Sequence, residues 1–185
     1  MMSRKQIAVI LIVGAVVIAL VSGTRRYLGD ELNPVGVGAR APDFKVMTID
    51  SVAREKTLDE YRGQVVLINI WATWCGPCRI EMPSIEQVHR DLGPKGLKVL
   101  AISVDEPGTD AQVRQFVKQY GLTFEVLHDT GGQEGKVSKA YQTTGYPETV
   151  IIGRDGIIRK KLLGAQNWNS PENRALIERL LAEKA

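Results

Sequence analysis

The stretch Val65–Glu81, VVLINIWATWCGPCRIE, joins an apolar run, broken only by Asn69, to two cysteines and then to a helical pattern. Such an apolar run is typical of a strand that is buried on both faces of a sheet. Cys75 and Cys78 are three positions apart, so on the first turn of a helix they lie on one face and can close a small disulfide. The stretch predicts a strand that delivers two thiols to a helix start, and redox chemistry follows from the pair.

The two cysteines are not equivalent, because only one of them can lie at the exposed tip of the helix. The free N–H groups and the positive dipole end of a helix favour a thiolate at its start. Cys75 occupies that position, whereas Cys78 falls inside the first turn. We therefore expect Cys75 to be the nucleophile and Cys78 to be the thiol that resolves a mixed disulfide.

Length and composition fit one ordinary domain: the chain has 185 residues, of which 44% are apolar and 24% charged, enough for a single core. Leaving out Arg4 and Lys5, which precede an apolar segment, reduces the 24 basic residues to 22, against 21 acidic ones. This near balance argues against a nucleic-acid surface. The only two cysteines form the predicted active pair, so cysteine usage alone does not indicate a compartment.

The N-terminus indicates a membrane. Ile7–Val21 is a run of fifteen apolar residues, and with Ser22–Thr24 it reaches about 27 Å of helix at ~1.5 Å per residue, enough to span a bilayer. A cleaved signal peptide is the alternative, because Val21-Ser22-Gly23 is a tolerable small-residue cleavage site. The predicted division of the chain is a cytoplasmic N-terminus (1–6), a transmembrane anchor (7–24), a tether (25–36) and one domain (37–185).

The rest of the chain alternates between strand and helix patterns. The strand at 65–71 and the helix at about 75–92 are followed by strands at 98–104 and 124–127, helices at 110–120 and 135–142, and a hairpin of 148–152 and 157–163. The hairpin is indicated by Asp155-Gly156, and Ser170-Pro171 supplies the cap and first residue of a last helix. This order predicts an α/β fold with a central mixed β-sheet flanked by helices.

The residues around the cysteine pair resemble the thioredoxin superfamily, whose CGPC signature stands here unaltered at Cys75–Cys78. The flanking segment WATWCGPCRIEMP is similar to the membrane-anchored TlpA/ResA/CcmG(DsbE)-like branch. Gly38–Phe44 (GARAPDF) and Gly145–Thr149 (GYPET) extend the resemblance, which covers roughly Val37–Leu181. It implies a thioredoxin-like fold for this part of the chain.

The resemblance also implies a substrate-binding surface. In a thioredoxin-like fold the proline that matches Pro147 is cis and faces the disulfide, which would leave the backbone of Tyr146 free to pair with an incoming peptide. Trp74 adjoins the nucleophile and is expected to shield it and to face the substrate. The alternative for Pro147 is an ordinary proline at the start of a strand.

Two acids are candidates for moving protons. Glu81 lies one helical turn after Cys78, on the side of the thiols, where it could accept or return a proton. Glu148 directly follows the predicted cis-proline and would also be near the pair. Asn69 stands six residues before the first cysteine, where thioredoxin has a buried aspartate, so another acid or water must do that work. A surface carboxylate is the alternative for both glutamates.

Several other site types are disfavoured, and we predict no metal and no cofactor. Zinc would need a second ligand pair at finger spacing, and Arg79 stands where the haem-attachment motif C-x-x-C-H requires histidine. Peroxidase chemistry is disfavoured because Ala72 stands where peroxiredoxins have threonine. His89 and His128 are expected at the surface or at helix caps, and Trp168 lies in a polar loop that the pattern does not place.

The sequence thus predicts an extracytoplasmic thiol–disulfide oxidoreductase on the outer face of the cytoplasmic membrane. The Gly-Pro dipeptide between the cysteines favours a reductant of protein disulfides. The family resemblance implies apocytochrome c as a client, in cytochrome c maturation, and a transmembrane thiol donor of the DsbD/CcdA type. The alternatives are a general disulfide oxidase or isomerase, and a redox-regulated client-binding module. Turnover of a small disulfide substrate would separate an enzyme from a binding module.

Overall fold

The computed structural model describes residues 6, 11–21, 34–50, 52–131 and 134–183. The residues before Val35 form one compact unit and those from Val35 onward form another. In the first unit, residues 11–21 are helical and exposed. None of the helices formed by described residues is both long enough and apolar enough to cross a bilayer. The predicted anchor at 7–24 and tether at 25–36 lie partly outside the described residues.

A mixed sheet forms the centre of the second unit; in the described residues it has seven strands in the order β2-β1-β5-β4-β3-β6-β7. The strands are β1 (Lys45–Thr48), β2 (Glu55–Thr57), β3 (Val65–Trp71), β4 (Leu97–Ser103), β5 (Glu125–His128), β6 (Glu148–Ile152) and β7 (Ile158–Leu163). The helices are α1 (Gly76–Leu92), α2 (Asp110–Tyr120), α3 (Lys136–Ala140) and α4 (Pro171–Ala182), with single 3₁₀ turns at Leu58–Tyr61 and Gly93–Lys95. The predicted central mixed sheet with flanking helices is confirmed.

The central strand β3 is buried along its whole length, as its apolar sequence predicts. It runs parallel to β4, from Val65 opposite Leu97 to Trp71 opposite Ser103. It runs antiparallel to β6, where Ile70 lies opposite Glu148. These pairings bring together, at one end of the strands, the carboxyl ends of β3 and β4 and the amino end of β6. The cysteine pair follows β3 at this end of the sheet.

The helices bury the apolar positions that their sequence periodicity indicates. In α1 these are Ile85, Val88 and Leu92, and in α4 they include Ile177 and Leu180. Ser170 caps α4 as expected: its side chain accepts from the backbone N–H of the third helical residue, and a proline opens the helix. Most predicted elements differ from the observed ones by one or two residues at an end.

The short strands β1 and β2 lie outside the elements that the sequence patterns predict. They have only four and three residues, which is too short for an alternating pattern to stand out. They form an antiparallel pair, and β1 adds to the sheet beside β5.

Candidate active site

The cysteine pair lies at the amino end of α1. Cys75 is the N-cap residue of this helix, and its Sγ accepts a hydrogen bond from the backbone N–H of Cys78 at 3.2 Å. The two sulfurs form a disulfide with an S–S distance of 2.02 Å. Pro77 lies in the first turn, where its missing N–H leaves no helical hydrogen bond unmade. The predicted placement of both thiols relative to the helix start is confirmed.

The disulfide is nearly covered by protein. Cys75 has an exposed fraction of 3% and Cys78 of 0%, so the expected difference in exposure has the right sign but is small. The neighbouring Trp74, by contrast, is 54% exposed. The residue that precedes the nearly covered Cys75 thus presents an exposed indole ring.

Two aromatic side chains, Trp74 and Tyr146, form what we call the aromatic rim. Their rings meet edge to face, with 6.0 Å between centroids and an interplanar angle of 75°. The Tyr146 hydroxyl lies 2.9 Å from Ser138 Oγ, which fixes the far end of the ring. The structure thus brings together two of the three residues that were expected to face the substrate.

The third expected residue is Pro147, and the Tyr146–Pro147 peptide bond is cis, as the family resemblance implies. The carbonyl of Pro147 accepts from the backbone N–H of Gly164 at 2.7 Å. Within the described residues, the backbone N–H and carbonyl of Tyr146 make no hydrogen bond. Both groups are therefore available to pair with an added strand.

Glu81 is a buried carboxylate held by several hydrogen bonds, and it is not the surface acid of the alternative interpretation. Its Oε1 accepts from Asn69 Nδ2 and, at 3.4 Å, from the Thr149 hydroxyl. Its Oε2 accepts from the backbone N–H of Gln166 at 2.9 Å and from the indole N–H of Trp168 at 3.3 Å. Asn69, which stands where thioredoxin has a buried aspartate, thus contacts one of the two acids that are candidates for that work.

Burial raises the pKa of Glu81 above its ordinary value, and the hydrogen bonds that it accepts oppose that rise. A carboxyl group with a raised pKa binds and releases protons nearer to neutral pH than an ordinary glutamate does. Glu81 lies one helical turn from Cys78, and both residues are buried.

Glu148 is also buried, at the amino end of β6, and it has a cationic neighbour. Lys161 Nζ lies 3.6 Å from Glu148 Oε1 and donates to the backbone carbonyls of Tyr141 at 2.6 Å and Val35 at 3.1 Å. Burial raises the pKa of Glu148, while Thr143 and the Lys161 ammonium group oppose the rise. Like Glu81, this residue is not a solvated surface acid.

The sequence interpretation missed the surroundings of the two acids and misplaced one histidine. Trp168, which it could not place, is fully buried, and a large aromatic residue inside a polar loop was the available signal. His128, expected at the surface or a cap, is instead buried between Asp110 Oδ1 at 2.7 Å and the Asp105 carbonyl at 2.8 Å. Lys161 gave no signal that distinguishes it from the lysine before it.

Comparisons with known proteins agree with this geometry. Residues 37–161 match the model of the AhpC/TSA family. The thiol-disulfide oxidoreductase ResA of Oceanobacillus iheyensis is 36% identical over 158 residues, which cover 84% of this chain and 78% of that protein. The thioredoxin-like protein YneN of Bacillus subtilis is 33% identical over 166 residues, which cover 87% of this chain and 94% of that protein.

A solved structure shows the same fold. It is assigned as the thiol:disulfide interchange protein DsbE from Chlorobium tepidum, with 27% identity and a TM-score of 0.63 over 78% of this chain and 94% of that one. The fold, the disulfide at the helix start and these similarities point the same way. The chain therefore belongs to the AhpC/TSA family, in its thioredoxin-like TlpA/ResA/CcmG branch, and is a thiol–disulfide oxidoreductase.

Proposed function

We propose that the protein is a membrane-anchored, extracytoplasmic reductase of protein disulfides that acts in cytochrome c maturation. The observation that carries the proposal is the position of Cys75 Sγ at the N-cap of α1, where it accepts the backbone N–H of Cys78 at 3.2 Å. In the reduced protein, this N–H group and the positive end of the helix dipole stabilise a thiolate on Cys75. Cys75 is then the nucleophile.

The reaction exchanges one disulfide for another. The Cys75 thiolate attacks one sulfur of the substrate disulfide; that S–S bond breaks, and the other substrate sulfur leaves as a thiolate. Cys78 then loses its proton and attacks Cys75 Sγ, which releases the second substrate thiolate and closes the Cys75–Cys78 disulfide. Two electrons pass to the substrate, whose sulfurs take up two protons. A thiol donor, which we propose is a transmembrane protein of the DsbD/CcdA type, returns two electrons.

Glu81 has the role of proton acceptor for Cys78 in this scheme. It is one turn along the same helix, and its raised pKa suits exchange with a thiol. Glu148 is the second acid of the site, and its charge is balanced by Lys161.

The substrate surface suits an extended peptide. The aromatic rim is exposed at Trp74, and the unpaired backbone of Tyr146 can accept a strand. An unfolded apocytochrome, whose C-x-x-C-H segment must be reduced before haem is attached, matches both features. The apolar segment at residues 7–24 would hold the domain at the outer face of the cytoplasmic membrane.

Redox equilibration of the full-length chain against glutathione tests the direction of the reaction. A reductase is expected to have a potential well below that of the glutathione couple, in the range typical of thioredoxin. A potential near that of strong oxidants such as DsbA would assign the protein to the oxidases instead.

A trapping experiment tests the client. In Cys78→Ala the resolving thiol is absent, so the mixed disulfide on Cys75 should persist and can be isolated with its partner, while Cys75→Ala serves as the control that traps nothing. Recovery of apocytochrome c or of a haem-ligation factor supports the proposal. Recovery of many unrelated secreted proteins, with c-type cytochromes unaffected in a deletion strain, would make the protein a general extracytoplasmic reductase.

A further inference from the structure

Asp105 lies just beyond the carboxyl end of β4, and its carboxylate holds the segment that leads to the cysteine pair. Its oxygens lie 3.2 and 3.0 Å from the backbone nitrogen of Thr73, and Oδ1 also accepts the Thr73 hydroxyl at 2.6 Å. The side chain is buried. One carboxylate therefore binds both donor groups of the residue two positions before Cys75.

The remaining polar group of Thr73 is held from the other side. Its carbonyl accepts from Arg79, with Nε at 3.1 Å and Nη2 at 2.7 Å. The next turn is closed by Cys75, whose backbone N–H donates to the Ala72 carbonyl at 3.2 Å. These hydrogen bonds fix the two peptide groups that flank Thr73. They thereby fix the directions in which the side chains of Trp74 and Cys75 point.

Asp105 is itself anchored to the sheet. The Ser103 hydroxyl donates to Asp105 Oδ2 at 2.7 Å and accepts the Asp105 N–H at 3.1 Å. The Asp105 carbonyl accepts from His128 Nε2 at 2.8 Å, and the Asp129 N–H donates to the Ser103 carbonyl at 2.9 Å, continuing the pairing of β4 with β5. We call the Asp105 carboxylate with its hydrogen bonds to Thr73 the clamp. The clamp is therefore anchored to two strands of the sheet, β4 and β5.

We propose that Asp105 is a positioning residue for the thiol–disulfide reaction, acting through Thr73 to keep Cys75 Sγ at the N-cap of α1 and Trp74 against Tyr146. The inference rests on the proposed function in that it takes Cys75 as the nucleophile. The helix start stabilises a thiolate only while the sulfur lies close to the free N–H groups, because the effect falls off within one turn. Loosening Thr73 lets the sulfur move away and so lowers the thiolate fraction.

The chain contains a matched control for this clamp. Glu86, eleven residues after Cys75 in α1, accepts the Thr123 backbone N–H at 2.8 Å and the Thr123 hydroxyl at 2.7 Å. The exposed fractions of Asp105 and Glu86 are similar, 3% and 7%. The second carboxylate holds a threonine in the same way, although Glu86 Oε1 also accepts from Arg90 Nε at 2.6 Å. The loop that it holds leads into β5 and to no cysteine.

The test compares four variants of the reduced full-length chain: Thr73→Val, Asp105→Asn, Thr123→Val and Glu86→Gln. The alkylation rate of Cys75 by iodoacetamide is measured against pH, and stability by urea unfolding. Thr73→Val should raise the pH midpoint of Cys75 alkylation and lower its rate at pH 7 by about threefold or more, the scale of a lost helix-terminus interaction. Asp105→Asn should raise the midpoint by less, because it also removes a negative charge near the thiols. The two control variants should lose about as much stability as Thr73→Val and Asp105→Asn, but their pH profile of Cys75 alkylation should be unchanged. Thr73→Ser should have the same profile as the unaltered chain.

An unchanged profile in Thr73→Val, or an equal shift in Thr123→Val, would overturn the positioning role. The Thr73→Val and Thr73→Ser pair decides the question alone if Asp105→Asn fails to fold. Failure of the proposed function has a different signature, because it would show as preferential alkylation of Cys78 in the unaltered chain. Faster labelling of Cys75 in the unaltered chain, with no change in Thr73→Val, overturns the positioning role only.

Discussion

Glu81 and Glu148 are two buried carboxylates of the same site, with exposed fractions of 1% and 4%, but they are compensated in different ways. Glu81 accepts hydrogen bonds from uncharged donors, and within the described residues it forms no ion pair. Glu148 lies 3.6 Å from the Lys161 ammonium. A cation holds the charge of a carboxylate more strongly than neutral donors do. We therefore expect Glu81 to be the better proton carrier and Glu148 to be the better fixed charge.

The largest expected effect comes from removing the cation. Lys161→Met should lower the free energy of unfolding by about 3 kcal/mol at pH 7, because it leaves the Glu148 carboxylate buried without its partner. The loss should shrink as the pH falls below the raised pKa of Glu148, since the protonated carboxyl needs no cation.

Urea unfolding at pH 4.5 and pH 7 measures both values. Lys139→Met is the control, because the ion pair of Lys139 with Glu134 is well exposed and such pairs contribute within about 1 kcal/mol. Equal losses in Lys161→Met and Lys139→Met would contradict the assigned difference between the two acids.

A second variant gives Glu81 a charged neighbour of the same sign. Asn69→Asp restores the thioredoxin residue beside Glu81. It should lower the free energy of unfolding by about 2 kcal/mol at neutral pH, because two carboxyl groups in contact cannot both ionise freely. Asn173→Asp is the matched control: Asn173 is buried, but its Oδ1 accepts from the Lys160 ammonium at 2.6 Å. We expect a smaller cost there at pH 7. A smaller cost for Asn69→Asp than for Asn173→Asp would refute the description of the Glu81 site.

The third prediction concerns the pH dependence of stability. The pKa of Glu81 is raised in the folded state, so folded protein binds more protons than unfolded protein between the ordinary glutamate pKa and the raised one. The contribution of Glu81 to the free energy of unfolding is thus fully present below the ordinary glutamate pKa and is lost as the pH rises through the raised pKa. In Glu81→Gln this loss of unfolding free energy with rising pH, which is on the order of 1 kcal/mol, should be absent. The variant and the unaltered chain should differ increasingly between pH 4 and pH 8; a constant difference would show that Glu81 does not titrate in this range.

The smallest expected effect concerns the negative charge that both acids place near the thiols. Replacing either Glu81 or Glu148 by glutamine removes a negative charge near the thiols, so the pH midpoint of Cys75 alkylation should move down by about 0.3 pH units. The double variant should show roughly the sum. A profile that is unchanged in both single variants and in the double variant would mean that neither acid acts on the cysteine pair.

The sequence was sufficient where one local pattern fixes the structure. The apolar run of β3 and the CGPC motif predicted the central strand, the helix start and the positions of Cys75 and Cys78, because burial on two faces and helix capping are local properties. The cis bond before Pro147 came from the family resemblance, since an isolated sequence gives a proline only a small chance of being cis.

The surroundings of the acids depend on contacts between distant parts of the chain. Trp168 and Gln166 reach Glu81 across more than eighty positions, from a loop that has no periodic pattern. Lys161 lies opposite Val150 in the β6–β7 register, which makes it a diagonal neighbour of Glu148. Only the register of the hairpin distinguishes it from Lys160, and a turn signal does not fix a register to one residue.

The two edge strands of the sheet bear on solubility. The outer strand β2 is the short segment Glu55-Lys56-Thr57, and the other edge, β7, carries the consecutive basic residues Arg159, Lys160 and Lys161. Short or charged edges resist the edge-to-edge pairing that leads to aggregation. The sheet thus discourages strand addition along its two edges, and under the proposed function the Tyr146 backbone is the place where an extended client would dock.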